Sequence, residues 1–127
     1  MADQRPCNAT VTSGRLAKAN EFFDAAEHLE DEMPSAAGDL YVDAGIAAAD
    51  VICCARLGVH SNTSNHSDAR ALLKKADNGS ERHLATLLSF KNKAAYTHEP
   101  ITAAECTKMN RAAGHLLETA KRAAAGS

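Results

Sequence analysis

Residues 36–57 read AAGDLYVDAGIAAADVICCARL, and this stretch decides the fold class. Apolar side chains occupy almost every side of a helix drawn through it, which is typical of a central helix contacted on most faces. Gly58 follows directly and marks the expected end of that helix. The many alanine and glycine residues would let neighbouring helices come close. The sequence therefore predicts a helical domain packed around a helix over residues 36–57.

Four more segments have helical spacing of apolar residues. They run from about Gly14 to Asp31, from Asp68 to Ala76, from Ser80 towards Pro100, and from Thr102 to Ala123. The expected N-terminal caps are Thr12 or Ser13, then Ser35, Ser67, Ser80, and Thr102 with Glu105 as a capping box. No strand pattern is visible. The predicted fold is all-α, an antiparallel four-helix bundle with one additional short helix over residues 13–123, preceded by a flexible segment over residues 1–12.

Composition agrees with a single globular domain. The chain has 127 residues, of which 45% are hydrophobic and only 4% aromatic, a balance that favours helices over strands. No stretch reaches the roughly 20 apolar residues needed to cross a bilayer. The first fifteen residues are polar and lack the apolar core of a signal peptide. A cytoplasmic protein without membrane association is expected.

The four cysteines are interpreted as reduced core thiols. They are Cys7, Cys53, Cys54 and Cys106, and no two of them form a Cys-x-x-Cys pair. The sequence also lacks a glycine-rich phosphate loop, a His-Glu-x-x-His zinc helix and the Glu-x-x-His pairs of di-iron bundles. Neither a metal nor a cofactor is expected.

One acidic stripe interrupts the apolar helix. Asp39, Asp43 and Asp50 fall on a narrow line at 100° per residue. The favoured interpretation is that Asp43 or Asp50 lies near a basic side chain from the last two helices. A carboxylate on a helix that is apolar elsewhere is partly buried, and buried carboxylates are usually paired with a basic residue. The alternative is that Asp43 and Asp50 contact a ligand.

The most informative motif is the segment FKNKAAYTH at residues 90–98. It resembles the signature of HEPN domains, Phe-Arg-Asn-x-x-x-His followed two residues later by an aromatic. An apolar helix precedes the motif and a capped helix follows it, as in that family. Residues 43–50 are similar to the alanine-rich helix of small HEPN proteins, and residues 66–73 are similar to the segment that opens their short helix.

This resemblance implies a fold and a range of activities. HEPN domains are antiparallel four-helix bundles that form homodimers. Many are metal-independent ribonucleases, often paired with a nucleotidyltransferase in toxin–antitoxin systems, and others bind nucleotides or nucleic acid without cutting it. In the nucleases an arginine and a histidine meet across the dimer cleft. An imidazole can move a proton near neutral pH, and a guanidinium can hold a phosphate through two hydrogen bonds.

This sequence departs from the motif at both catalytic positions. Lys91 stands where arginine is expected, Tyr96 where histidine is expected, and His98 where the aromatic is expected. Lysine can neutralise a phosphate but lacks the two-pronged geometry of arginine. A phenol is a poor base at neutral pH. The chain is therefore not expected to be an enzyme.

The resulting hypothesis is a catalytically degenerate HEPN-like module that binds a nucleotide, RNA or a partner protein, as a homodimer or with a nucleotidyltransferase. The predicted ligand-binding residues are Lys91, Asn92, Lys93, Tyr96, His98, Asp43 and Asp50. Two alternatives remain. One is an active metal-independent ribonuclease that uses Lys91 and His98 as catalytic residues, with Tyr96 as a further candidate. The other is a helical protein-interaction module without a small ligand.

Overall fold

The computed structural model describes residues 4–62 and 65–126, and it confirms the prediction of a mainly helical chain. These ranges contain five α-helices, one turn of 3₁₀-helix over Asn78–Ser80 and a two-stranded sheet. The elements are β1 (Gln4–Pro6), α1 (Ala9–Leu29), α2 (Pro34–Leu57), β2 (Val59–Ser61), α3 (His66–Ala76), α4 (Glu81–Ala95) and α5 (Ala103–Ala124). Within these ranges, no helix is both long enough and apolar enough to span a bilayer.

Helix α2 forms the centre of the molecule, as predicted. Thirteen of its 24 residues are buried, and it packs against α1, α3, α4 and α5. Small residues bring its neighbours close. A Cβ at Gly45 would overlap Leu87 Cδ1 of α4 and would lie 3.3 Å from Leu116 Cδ1 of α5. The glycine is therefore required by the packing of three helices at one point.

The predicted C-terminal end of α2 and the predicted start of α5 agree well with the structure. Gly58 ends α2 in the left-handed conformation, with φ of 75°, and its N–H donates to the Cys54 carbonyl. Thr102 and Glu105 form the predicted capping box at the start of α5. The start of α2 differs from the prediction. The helix begins at Pro34, because proline is well tolerated in a first helical turn, and the predicted cap Ser35 lies inside the helix, where its Oγ accepts a hydrogen bond from the Ile101 N–H.

Three further predicted caps are wrong. Asn8 caps α1 by accepting a hydrogen bond from the Val11 N–H, so the helix begins earlier than Thr12 or Ser13 would allow. Asn65, rather than Ser67, caps α3. Ser80 makes no cap for α4, because its hydroxyl donates to Asp77 Oδ2 instead. For α1 and α3 the cap is an asparagine that precedes the predicted cap residue. For α4 the hydroxyl of the predicted cap bonds to Asp77 instead of to the backbone of the helix.

The N-terminal segment is joined to the helices, which corrects the prediction of a flexible tail over residues 1–12 for its described part. β1 pairs antiparallel with β2, with Arg5 opposite His60. The Cys7 N–H donates to the Gly58 carbonyl at 2.9 Å, and α1 begins at Ala9. The strand pairing was not expected either, because three-residue strands carry too little alternation to be recognised.

Two of the four cysteines form a disulfide. Cys7 is bonded to Cys54, which links the N-terminal segment to the last turn of α2, so the prediction of reduced thiols is wrong for this pair. Cys53 and Cys106 are buried free thiols, as predicted. Burial, followed by the nearby Asp50 carboxylate, raises the pKa of Cys53 to about 12.

Candidate ligand-binding site

The predicted motif lies where α4 ends and the chain turns towards α5. The helix ends at Ala95, and the Tyr96 N–H closes its last turn by donating to the Asn92 carbonyl at 2.9 Å. The turn is anchored on its far side by Ile101, which is buried and whose N–H donates to Ser35 Oγ at 3.0 Å. The end of α4 and the turn that follows it are thus held against the start of α2.

Lys91 and Tyr96 come together on this end of α4. The Lys91 ammonium lies 5.9 Å from the centre of the Tyr96 ring, within the range of a cation–π interaction. Tyr96 is 72% exposed, the highest value among the exposed large apolar residues of the described chain. An open aromatic face next to a positive charge can accept a planar ring by stacking and an adjacent anionic group by charge.

Lys93 is engaged within the fold. Its ammonium lies 3.0 Å from both carboxylate oxygens of Glu105 on α5. Glu105 also accepts a hydrogen bond from the Thr102 N–H. The pKa of Glu105 is lowered by backbone hydrogen bonding at Thr102 first and by Lys93 second. The ion pair therefore removes Lys93 from the predicted ligand set unless Glu105 is displaced.

Asn92 and His98 are both exposed near this end of α4. Because α4 ends at Ala95, His98 belongs to the turn and not to the helix face that carries Lys91. Within residues 4–62 and 65–126, no hydrogen bond or ring contact joins His98 to Lys91 or Tyr96. The structure therefore brings Lys91, Asn92 and Tyr96 to one helix end but does not assemble a catalytic pair with His98.

Asp50 pairs with a basic residue from the first helix. Arg15 of α1 approaches Asp50 Oδ2 through Nε at 3.0 Å and through Nη2 at 2.9 Å. The prediction of a partner from the last two helices is therefore wrong for Asp50, because the start of α1 runs alongside the second half of α2. Burial raises the pKa of Asp50, and Arg15 and then His60 oppose that rise.

Asp43 lies closer to the predicted motif. Burial is the largest cause of its raised pKa, and the neighbouring Asp39 adds to it. The positive charges of Lys91 and Arg15 lower the pKa of Asp43, so this carboxylate interacts electrostatically with Lys91, a basic residue of α4. Asp39 Oδ1 is buried and has no hydrogen-bond partner in the described chain. The stripe thus runs from the Lys91 end of α4 to the Arg15–Asp50 pair.

A second candidate region was missed by sequence reasoning. A cavity of about 260 Å³ opens between α2, β2, α3 and α4, near Asp50. No sequence motif marks it, since its wall combines residues from four elements that are far apart in the chain. The lining residues are Ile46, Ala49, Asp50, Cys53, Ser61, His66, Ala69, Leu84 and Leu88.

No family model, curated protein or solved structure matches this chain. Among the described residues, no group of three or more histidine, cysteine, aspartate or glutamate side chains is placed to hold a metal ion. In the part of the chain that the structure describes, the features that could hold a ligand include the exposed Lys91–Tyr96 pair and the partly enclosed cavity beside Asp50.

Proposed function

We propose that this protein is a non-catalytic helical module that binds a nucleotide or single-stranded RNA at the end of α4. The observation that carries the proposal is the exposed Tyr96 ring with the Lys91 ammonium 5.9 Å from its centre. The resemblance of residues 90–98 to the HEPN motif supports the same ligand class. In this proposal the chain is a catalytically degenerate member of that family.

Stacking supplies most of the expected affinity. A base stacked on an aromatic side chain contributes about 1–3 kcal/mol, and it does so for any base sequence. Lys91 adds a single point charge for a phosphate, reduced by the nearby Asp43. The exposed amide of Asn92 lies on the same last turn and can donate to or accept from a base edge. One aromatic and one cation suit a mononucleotide or a short single strand better than a duplex.

The proposal that the module is non-catalytic rests on the same residues. Cleavage at a ribose 2′-hydroxyl needs a group that exchanges a proton near neutral pH. Tyr96 replaces the histidine of the motif, and His98 lies in the turn beyond the helix that carries Lys91. The alternative, a ribonuclease that uses Lys91 and His98, requires the turn to rearrange. Cleavage that is abolished by His98→Ala would establish that alternative.

The homodimer implied by the HEPN resemblance belongs to the same proposal. Tyr96, Met33 and Leu57 are the large apolar side chains that the described chain exposes. A partner that covers Tyr96 would compete with the nucleotide, whereas a partner elsewhere would not. Light scattering gives the mass directly, and twice 13.4 kDa is the expected result. A monomer at high concentration would contradict the dimer.

Binding of fluorescein-labelled hexanucleotides, followed by anisotropy at low and moderate salt, tests the proposal. Tyr96→Ala should weaken binding by about tenfold or more, because the stacking surface is lost. Tyr96→Phe should keep most of the affinity, because the ring remains. Lys108→Ala removes an exposed charge from α5 and is the matched control. Equal binding by wild type and Tyr96→Ala, or no binding by wild type, would overturn the proposal.

A further inference from the structure

The cavity beside Asp50 has the size and the wall of a small-molecule site. Its volume is about 260 Å³. An apolar cavity of about 150 Å³ holds one benzene ring, so this space suits a ligand of about ten non-hydrogen atoms. Four apolar residues, Ile46 and Ala49 of α2 with Leu84 and Leu88 of α4, form much of its wall. Such a wall favours an apolar ligand body.

The polar side of the cavity is formed by Asp50, whose side chain is only 14% exposed. Arg15 binds one carboxylate oxygen, Oδ2, through two nitrogens. Within residues 4–62 and 65–126, Oδ1 accepts no hydrogen bond. A carboxylate oxygen in this position is an acceptor that a ligand with an N–H or O–H group can satisfy.

Ser61 gives a second unused polar group at the same cavity. Its residue lines the space, and its hydroxyl is buried without a hydrogen-bond partner in the described chain. Pairing with Gln4 of β1 fixes the backbone of Ser61, and its carbonyl accepts a hydrogen bond from His60 Nδ1. Buried hydroxyls are usually satisfied, so an unsatisfied one beside a cavity points to a missing polar partner.

The charges around the cavity favour a cationic ligand. Arg15 offsets the charge of Asp50, but Asp43 and Asp39 lie further along the same stripe of α2. Arg15 and Lys91 both act on Asp43, and the three carboxylates of the stripe outnumber these two cations. The Cys53 thiol that lines the cavity stays neutral, because burial raises its pKa to about 12. An anionic ligand would meet net repulsion here, whereas an amine would not.

We infer that this cavity binds a small primary amine with an apolar body, held by Asp50 Oδ1 and the Ser61 hydroxyl and packed against Ile46, Leu84 and Leu88. The site is separate from the nucleotide surface proposed at Lys91 and Tyr96.

Three probes that differ in one group test this inference on the full chain by calorimetry: 2-phenylethylamine, 2-phenylethanol and phenylacetate. The amine should bind about tenfold or more tightly than the alcohol, as expected for a hydrogen bond to a charged group, and phenylacetate should not bind. Phenylacetate binding as tightly as the amine would overturn the inference. No binding of the amine to the wild type, which would indicate a cavity that holds water alone, would overturn it too.

Two variants locate the binding. Asp50→Asn keeps an oxygen for Arg15 but removes the charge, and it should abolish the preference for the amine over the alcohol. If that variant does not fold, Ala69→Leu fills the cavity from α3 and should abolish binding of the amine. Tyr96→Ala should leave amine binding unchanged, so failure of this inference and failure of the nucleotide proposal are distinguishable. An amine that still binds Ala69→Leu with full affinity would show that it binds elsewhere.

Discussion

Lys93 Nζ lies 3.0 Å from each carboxylate oxygen of Glu105, so one of the two lysines in the motif is neutralised inside the fold. The other, Lys91, faces the Tyr96 ring instead. Two lysines that are only two positions apart in the sequence therefore have different roles. Lys93 ties α4 to the start of α5, and Lys91 remains beside the exposed aromatic surface.

This ion pair can be opened without removing the cap of α5. Glutamine at position 105 can still accept the Thr102 N–H hydrogen bond but carries no charge. Glu105→Gln should therefore release Lys93 and strengthen binding of a short single-stranded RNA. The slope of log affinity against log salt should steepen by about 0.7 for one additional phosphate contact.

The matched control for this change is Glu118→Gln, which frees Lys121 about 20 Å further along α5. It alters the net charge equally and should leave the salt slope unchanged. A slope that steepens by the same amount in both variants would mean that Lys93 acts through net charge and not through contact.

The disulfide can be detected by counting thiols. The unfolded, unreduced protein should react with two equivalents of thiol reagent, from Cys53 and Cys106. Cys7→Ser should lower the free energy of unfolding by about 2–4 kcal/mol, because the crosslink no longer restricts the unfolded chain. Reductant should destabilise the wild type but not the variant. Four reactive thiols in protein purified without reductant would contradict the crosslink.

Gly45 and Gly14 should respond oppositely to alanine. Gly45→Ala places a methyl group against Leu87 and Leu116 and should cost about 1–3 kcal/mol of stability by overpacking. Gly14 is an exposed residue inside α1, and a Cβ added there would have no neighbouring atom within 4 Å. Gly14→Ala should stabilise by about 0.5–1 kcal/mol. Urea unfolding of both variants measures the difference, and equal effects would contradict the packing described at α2.

A histidine pair between α4 and α5 should make stability depend on pH. The rings of His83 and His115 stack with centroids 4.6 Å apart. Burial first, then His115, then Arg82 lower the pKa of His83. The unfolded chain therefore takes up this proton more readily than the folded protein does. Stability should fall as the pH drops below about 6.5, the ordinary value for histidine, and the loss should end below the folded-state pKa.

Melting temperatures of the wild type and the variants at pH 7.5 and pH 5.5 test this. Carboxylates contribute equally to the wild type and to each variant, so their contribution cancels when the two are compared. His83→Gln should lose less stability on acidification than the wild type does. His28→Gln, at an exposed position of α1, is the control and should resemble the wild type. Identical acid sensitivity of wild type and His83→Gln would show that the stacked pair contributes nothing.

Sequence alone was sufficient for features with local causes. The apolar pattern of residues 36–57 predicted a buried central helix, and Gly58 and the Thr102–Glu105 box predicted two helix ends. These signals act within a few residues, where periodicity and capping chemistry are decisive.

Features that depend on distant partners could not be predicted. Asp50 forms an ion pair with Arg15 at a sequence separation of 35 residues, and Cys7 is bonded to Cys54 at a separation of 47. Nothing in the motif itself shows that Lys93 is paired across the turn to α5. The cavity beside Asp50 likewise requires four elements to be in place. Each of these contacts is fixed by how the helices pack, which a local pattern does not specify.

The most direct test of the nucleotide proposal is an amide-resolved NMR titration of the ¹⁵N-labelled protein with a short single-stranded RNA. The account predicts that chemical-shift changes cluster at the end of α4 and the turn after it, over residues 91–98, and that Tyr96→Ala abolishes them. Shift changes confined to other surfaces, or no change at saturating RNA, would contradict it.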